Sequence, residues 1–229
     1  MPFYACGTVK LAREAKEYMP NTKSVWYADD SADGGKVADV HTWWTHLKDI
    51  GPVHGYFPKP SKSWLIVKEQ YYQKANQIFH DVNITTVGRR YLGSFIGTNE
   101  GKEEYVHSKA KEWVNNIEDI ANVADTEPHQ AYCGYTFGIS KKWNFLLRTT
   151  PNIAHCLNDV ENAISQKLIP ALTGFVPDST ERQIFSLPVR HGGLSLPSPV
   201  INADAEYQYS VKINKDLTDT IIQQKDLFK

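Results

Sequence analysis

Two adjacent carboxylates, Asp29 and Asp30, open an acidic, turn-forming stretch that continues Ser31-Ala32-Asp33-Gly34-Gly35. Three chemistries compete for it. A calcium loop of the EF-hand type beginning at Asp29 puts Ser31, Asp33 and Gly34 in tolerable places, but its twelfth position is Val40, where a bidentate glutamate is needed. A phosphate-cradling loop ending at Gly35-Lys36 would need glycine where Asp30 stands, and serine or threonine where Val37 stands. The third chemistry is nucleotidyl transfer. Carboxylates at the tip of a hairpin can hold magnesium ions that activate an attacking 3′-hydroxyl and stabilise departing pyrophosphate. Asp29 and Asp30 could serve one metal only where the chain is turning, since side chains alternate along a strand.

The flanking segments predict how such a tip would be held. Residues 7–19 read as a helix stopped by Pro20-Asn21, and Ser24-Val25-Trp26-Tyr27-Ala28 as a strand that runs into the acidic loop. Val37, Val40, Trp44, Leu47 and Ile50 recur at helical spacing and are stopped by Gly51-Pro52, so a surface helix follows. A loop over residues 55–62, a buried strand at 63–68, a helix marked by Tyr72, Ala75, Ile78 and Phe79, and a strand from Tyr91 to Gly97 complete the first part. Beyond it, Tyr105 to Ile120 and His155 to Leu172 carry apolar helical faces, and strand signals nearly vanish. The expected fold is α+β, with a boundary near Thr98.

Tyr27-Ala28-Asp29-Asp30 resembles the YxDD box of retroelement reverse transcriptases, in its YADD form. In that family the hairpin is followed by a helix, a loop with a lysine before a short strand, and a strand carrying a Leu-Gly pair. Similar segments stand here in the same order: Val37 to Ile50, Gly55 to Leu65, and Arg90-Tyr91-Leu92-Gly93. The opening Met1-Pro2-Phe3-Tyr4-Ala5 looks like the helix after the family's Gln-Gly-Asp-Pro segment. The resemblance implies a partial polymerase palm, an antiparallel sheet with covering helices, over residues 1–98, and a helical, thumb-like and C-terminal region over 99–229. It makes Asp29 and Asp30 the Mg2+-binding carboxylates and places Tyr27 near the primer terminus and incoming nucleotide. Lys62, in preference to Lys59, would lie near the triphosphate and donate a proton to pyrophosphate. The implied partners are an RNA template, a DNA primer and deoxynucleoside triphosphates.

Two-metal catalysis also needs a carboxylate from an earlier strand, and among the residues before Asp29 the only acids are Glu14 and Glu17, both on the expected first helix. The expectation is therefore a fragment, truncated within the palm, that does not polymerise alone. The alternative from another class is a non-catalytic retroelement relic serving as a helical nucleic-acid or protein interaction module.

Residues 129–156 contain no acid but carry Lys141, Lys142 and Arg148 among Tyr132, Tyr135, Phe137, Trp143 and Phe145, which suits a nucleic-acid groove as well as an aromatic core with solvated cations. His129, Cys133, His155 and Cys156 are better read as packing than as a zinc site, because adjacent ligands reach one tetrahedral ion poorly. Leu187-Pro188-Val189-Arg190-His191-Gly192-Gly193-Leu194 resembles a segment downstream of the polymerase core in such elements, with no chemistry attached to it. Three cysteines without CxxC spacing, no leader-like start and no long apolar run predict an intracellular protein without a membrane partner. Against 26 acidic residues stand 25 basic ones, so any nucleic-acid contact must be a local groove and not a general property of the surface.

Overall fold

The computed structural model describes residues 2–224. It is a mixed chain in which helices predominate and the strands form three small sheets. Contacts divide it into one unit built from the residues up to Arg89 together with those from Asn214 onward, and a second spanning Arg90–Ile213. The division precedes the expected boundary at Thr98, and the described residues from Asn214 to Gln224 belong with the first unit. Residues 225–229 of the expected C-terminal region, and Met1 of the opening segment, lie outside the described residues.

In the first unit, helix α1 (Pro2–Tyr18) leads into strands β1 (Lys23–Tyr27) and β2 (Asp30–Gly34), an antiparallel hairpin. Helix α2 (Val37–Ile50) places Trp43, Trp44 and Leu47 inside against Leu11 and Ala15 of α1, as the three-and-four spacing of its apolar residues requires. Strand β3 (Trp64–Ile66), helix α3 (Tyr72–Ile78) and strand β4 (Asn83–Thr85) follow. β3 and β4 pair in parallel, which the helical crossover through α3 makes possible. Leu65 and Ile84, partners in register, both point into the core that includes Phe79.

The chain is α+β as expected, but the expected antiparallel sheet is divided. The strands are three to five residues long and form separate two-stranded ladders, one of them parallel. The predicted strand Tyr91 to Gly97 is also a hairpin, β5 (Gly88–Tyr91) and β6 (Ser94–Gly97). Its turn is Leu92-Gly93, both at positive φ (48° and 90°), the combination that closes a two-residue loop.

The second unit is organised around helix α4 (Asn99–Ala124), capped by the Thr98 side chain accepting from the Gly101 amide. Helices α5 (Pro128–Phe137), α6 (Asn144–Thr149), α7 (Asn158–Ala163), α8 (Ile169–Thr173), α9 (Ser179–Ser186) and α10 (Pro199–Ile213) follow, with α5, α7 and α8 packed on α4 and α10 on α6. A π-helical turn, Ile164–Leu168, joins α7 to α8 where Pro170 cannot donate a backbone hydrogen bond. The core gathers Val106, Trp113, Ile117, Tyr135, Trp143, Leu157, Ile164 and Leu196. Helix α11 (Lys215–Gln223) belongs to the first unit. Among the described residues no helix is long and apolar enough to cross a membrane.

Candidate functional site

The β1–β2 hairpin turns through two residues, Ala28 and Asp29, between the closing pair Tyr27 and Asp30. Two-residue loops need positive φ at their first position, and Ala28 supplies it at 53° without being glycine. The acidic segment read as a loop is therefore mostly strand. Asp, Ser and Gly are poor strand formers, yet β2 is held by β1, whose Val25, Trp26 and Tyr27 are good ones.

Register assigns the two faces. Tyr27 stands opposite Asp30 on one, and Trp26 opposite Ser31 and Ser24 opposite Asp33 on the other. The first face is open: Tyr27 is 64% exposed, and Asp29 and Asp30 are exposed with no protein donor to either carboxylate among the described residues. The second face is braced. Tyr56 packs its ring edge-on against Trp26 at 5.4 Å, shares a hydrogen bond with the Ser31 hydroxyl at 3.0 Å, and donates to the Asp29 carbonyl at 3.2 Å. Ser24 donates to Asp33. Burial pushes the Asp33 carboxyl above its usual range, against the opposing hydrogen bonds of Ser24 and Thr22 and the charge of Lys16.

The outer edge of β1 is covered as well. Gln224 accepts from the Ser24 amide through Oε1 and donates to the Ser24 carbonyl through Nε2, both at 3.2 Å, so a side-chain amide takes the place of a neighbouring strand.

The hairpin thus brings Tyr27, Asp29 and Asp30 together. Lys62 sits on another element, the 3-10 turn Pro60–Lys62 ahead of β3, exposed and without an ion pair among the described residues. Lys59, one turn earlier, is exposed too.

Lys141, Lys142 and Arg148 are all exposed, Lys142 donating to Asn116 Oδ1 at 2.7 Å and Arg148 facing Glu206 at 4.0 Å. The rings interleaved with them divide. Tyr135 and Trp143 are buried beside Trp113, whereas Phe137 and Phe145 reach water. Among the described residues no group of three or more His, Cys, Asp or Glu could hold a metal. Cys133 is exposed, and Cys156 is buried 3.3 Å from His155 Nε2, its thiol pushed up by burial. The Leu187–Leu194 segment is a turn: Gly192 adopts φ 83°, and a Cβ on Gly193 would lie 2.1 Å from the Leu187 carbonyl.

Comparison with known proteins adds no identification. No family model, curated protein or solved structure matches the chain.

Three residues around the hairpin were missed by sequence reasoning. Asp33 had a usable signal, because a two-residue turn at Ala28-Asp29 pairs it with Ser24 by counting alone. Tyr56 lay in a segment read only as loop, and nothing local to Gln224 points to a strand edge 200 residues away.

Proposed function

We propose that the chain carries the metal-binding hairpin of a reverse-transcriptase-type polymerase palm, and that these residues do not polymerise by themselves. The observation that supports this is the hairpin tip: a YADD sequence whose two carboxylates face water, free of protein donors among the described residues, on a strand pair braced from behind by Tyr56. Asp29 and Asp30 would hold the cation. A hydrated Mg2+ fits such a pair, since it commonly keeps several waters and takes one or two carboxylates plus substrate phosphates. When bound, it would supply charge neutralisation at the triphosphate and activation of the attacking hydroxyl. Tyr27, opposite Asp30 on the open face, would lie against the nucleotide, and Lys62 would offer its ammonium to the phosphates.

The same observation limits the activity. Among the described residues the tip brings two carboxylates together and leaves both exposed, so these residues by themselves supply one metal-binding pair in open water. A second reading, a non-catalytic relic, is supported by the exposure of that carboxylate pair.

Titration with Mn2+ in the presence of a deoxynucleoside triphosphate tests the site. Saturable binding lost in Asp29→Asn is expected, and equal binding by the variant would leave the relic reading. Primer extension with Mg2+ tests the limit, and extension by the chain that disappears in Asp29→Asn would overturn the predicted inactivity.

A further inference from the structure

We propose that two copies of the chain associate through the outer face of α10, by antiparallel two-fold pairing of the ridge formed by Ile201, Ala205, Tyr209 and Ile213. This surface lies within the second unit and does not depend on the carboxylate hairpin.

Helical spacing makes the ridge. Side chains four apart line up along a helix, and these four fall on successive turns. Ile201 is 71% exposed, Tyr209 65% and Ile213 73%, and Ala205 is exposed between them. The opposite face of α10 is used internally: Pro199 and Ala203 are buried, and the helix packs on α6 and on the 3-10 turn Ala154–Leu157. Three large apolar side chains left in water on one ridge form a contiguous strip, unlike the single apolar residues scattered over an ordinary surface.

The flanking charges select what covers it. Asp204 and Lys212 stand on the same side of the ridge, three residues after Ile201 and Tyr209 respectively. Both are exposed, and neither has an ion-pair partner among the described residues. A separation of about 12 Å along the axis keeps them from meeting within one helix. Lys102, which borders the same shallow hollow as Asp204, donates instead to Asn99 Oδ1 and the Pro151 carbonyl.

A second copy running antiparallel, centred between Ala205 and Tyr209, brings Asp204 of each chain beside Lys212 of the other. The same operation sets Ala205 against Tyr209, small against large, and Ile201 against Ile213, each twice over. Parallel pairing would place Asp204 beside Asp204. On the other flank Glu206 already faces Arg148 at 4.0 Å, so that carboxylate meets the two-fold partner with its charge countered. An unrelated apolar partner would cover the ridge and leave both flanking charges unpaired, whereas a second copy satisfies ridge and charges together.

The test is sedimentation equilibrium of the full chain over about 1 μM to 1 mM, the range expected of a small interface. A monomer–dimer equilibrium that stops at two is expected. Tyr209→Glu, at a position already exposed in the monomer, should keep its circular dichroism spectrum and weaken the dimer about thirtyfold or more. Asp204→Lys and Lys212→Asp should each weaken it about tenfold, because each replaces two opposite-charge pairs with two like-charge pairs. Combining them reverses both charges and should restore association to near wild type. Phe137→Glu, on α5 and 78% exposed, should leave the dimer unchanged. The proposal is overturned by a monomer throughout the range, by open-ended assembly, or by Tyr209→Glu associating as wild type. A double charge exchange that associates no better than the single ones, or dissociation by Phe137→Glu, would overturn it equally.

Discussion

Cations and aromatic rings lie close together in two stretches of this chain, and folding sends their tryptophans opposite ways. Around β3 the ring of Trp64 stays outside with Arg89 stacked on it, because the inward position of that strand is taken by Leu65. Between Tyr132 and Arg148 the rings divide: Tyr135 and Trp143 go inside, Phe137 and Phe145 reach water, and Lys141, Lys142 and Arg148 stay exposed. Sequence proximity of charge and ring therefore does not mark a binding surface. Which rings reach water is decided by the core, which takes in Leu65 at β3 and Tyr135 and Trp143 in the second unit.

The sharpest way to break this contrast is to remove one ring from each side. Trp143 is 2% exposed, with its centroid 5.8 Å from Trp113 and 6.3 Å from Tyr135. Trp143→Ala should cost about 3–5 kcal/mol in chemical denaturation, through lost burial and the cavity left behind. Trp64→Ala should cost under about 1 kcal/mol, as expected for a surface position. Equal losses would mean that Trp64 is a core residue and that the contrast is false.

A smaller loss is expected where the second unit depends on a buried charge. Arg182 donates to both oxygens of Glu161, through Nε at 2.6 Å and a terminal nitrogen at 3.0 Å, and also to the Leu196 carbonyl at 2.7 Å. The two side chains are 12% and 20% exposed. Arg182→Ala leaves Glu161 and Leu196 without those donors and should destabilise by about 2–3 kcal/mol, measured by urea unfolding. Arg148→Ala, at an exposed pair 4.0 Å apart, should change stability by less than about 0.5 kcal/mol.

Next in size is the turn at Leu92-Gly93. Gly93 holds φ 90°, and an added Cβ would meet the Phe145 ring at 3.1 Å. Gly93→Ala should cost about 1–2 kcal/mol from the left-handed conformation, read as a lowered melting temperature. Phe145→Ala in the same background relieves only the contact, so it separates backbone strain from crowding.

How much was legible follows from the same contrast. Val37 to Ile50 and Tyr105 to Ile120 were readable as helices because their apolar residues repeat at a period that only one regular structure satisfies. The tip residues Tyr27, Asp29 and Asp30 were readable as a group because adjacency in sequence guarantees adjacency in space. Strand β2 was hidden, since Asp-Ser-Ala-Asp-Gly has turn composition and becomes strand only through its partner. The Leu92-Gly93 turn was hidden by the reverse effect, apolar neighbours making a hairpin look like one strand. Lys62 could be placed in a loop, but its position relative to the tip is a matter of tertiary structure that spacing does not carry.

The smallest effect distinguishes two carboxylates of the first unit by the sign of their pH response. Burial raises the Asp33 carboxyl more than Ser24, Thr22 and Lys16 lower it, so the folded state holds this proton to higher pH than the unfolded chain does. Its contribution to stability therefore declines as pH rises from the ordinary carboxylate value through the raised one, and stays lower above it. At Asp81, burial also raises the carboxyl, but hydrogen bonds from Lys48 at 2.6 Å and Trp44 at 3.1 Å outweigh it and hold the group below its usual range. Asp81 thus contributes stability that is present above the ordinary value and is lost as pH falls through the lowered one. Melting temperatures between pH 3 and 7 should show Asp33→Asn gaining on wild type as pH rises and Asp81→Asn losing on it. The same sign for both variants would mean that the braced face of the hairpin is as wet as its tip, and the distinction between a solvent-facing carboxylate pair and a buried supporting one would fail.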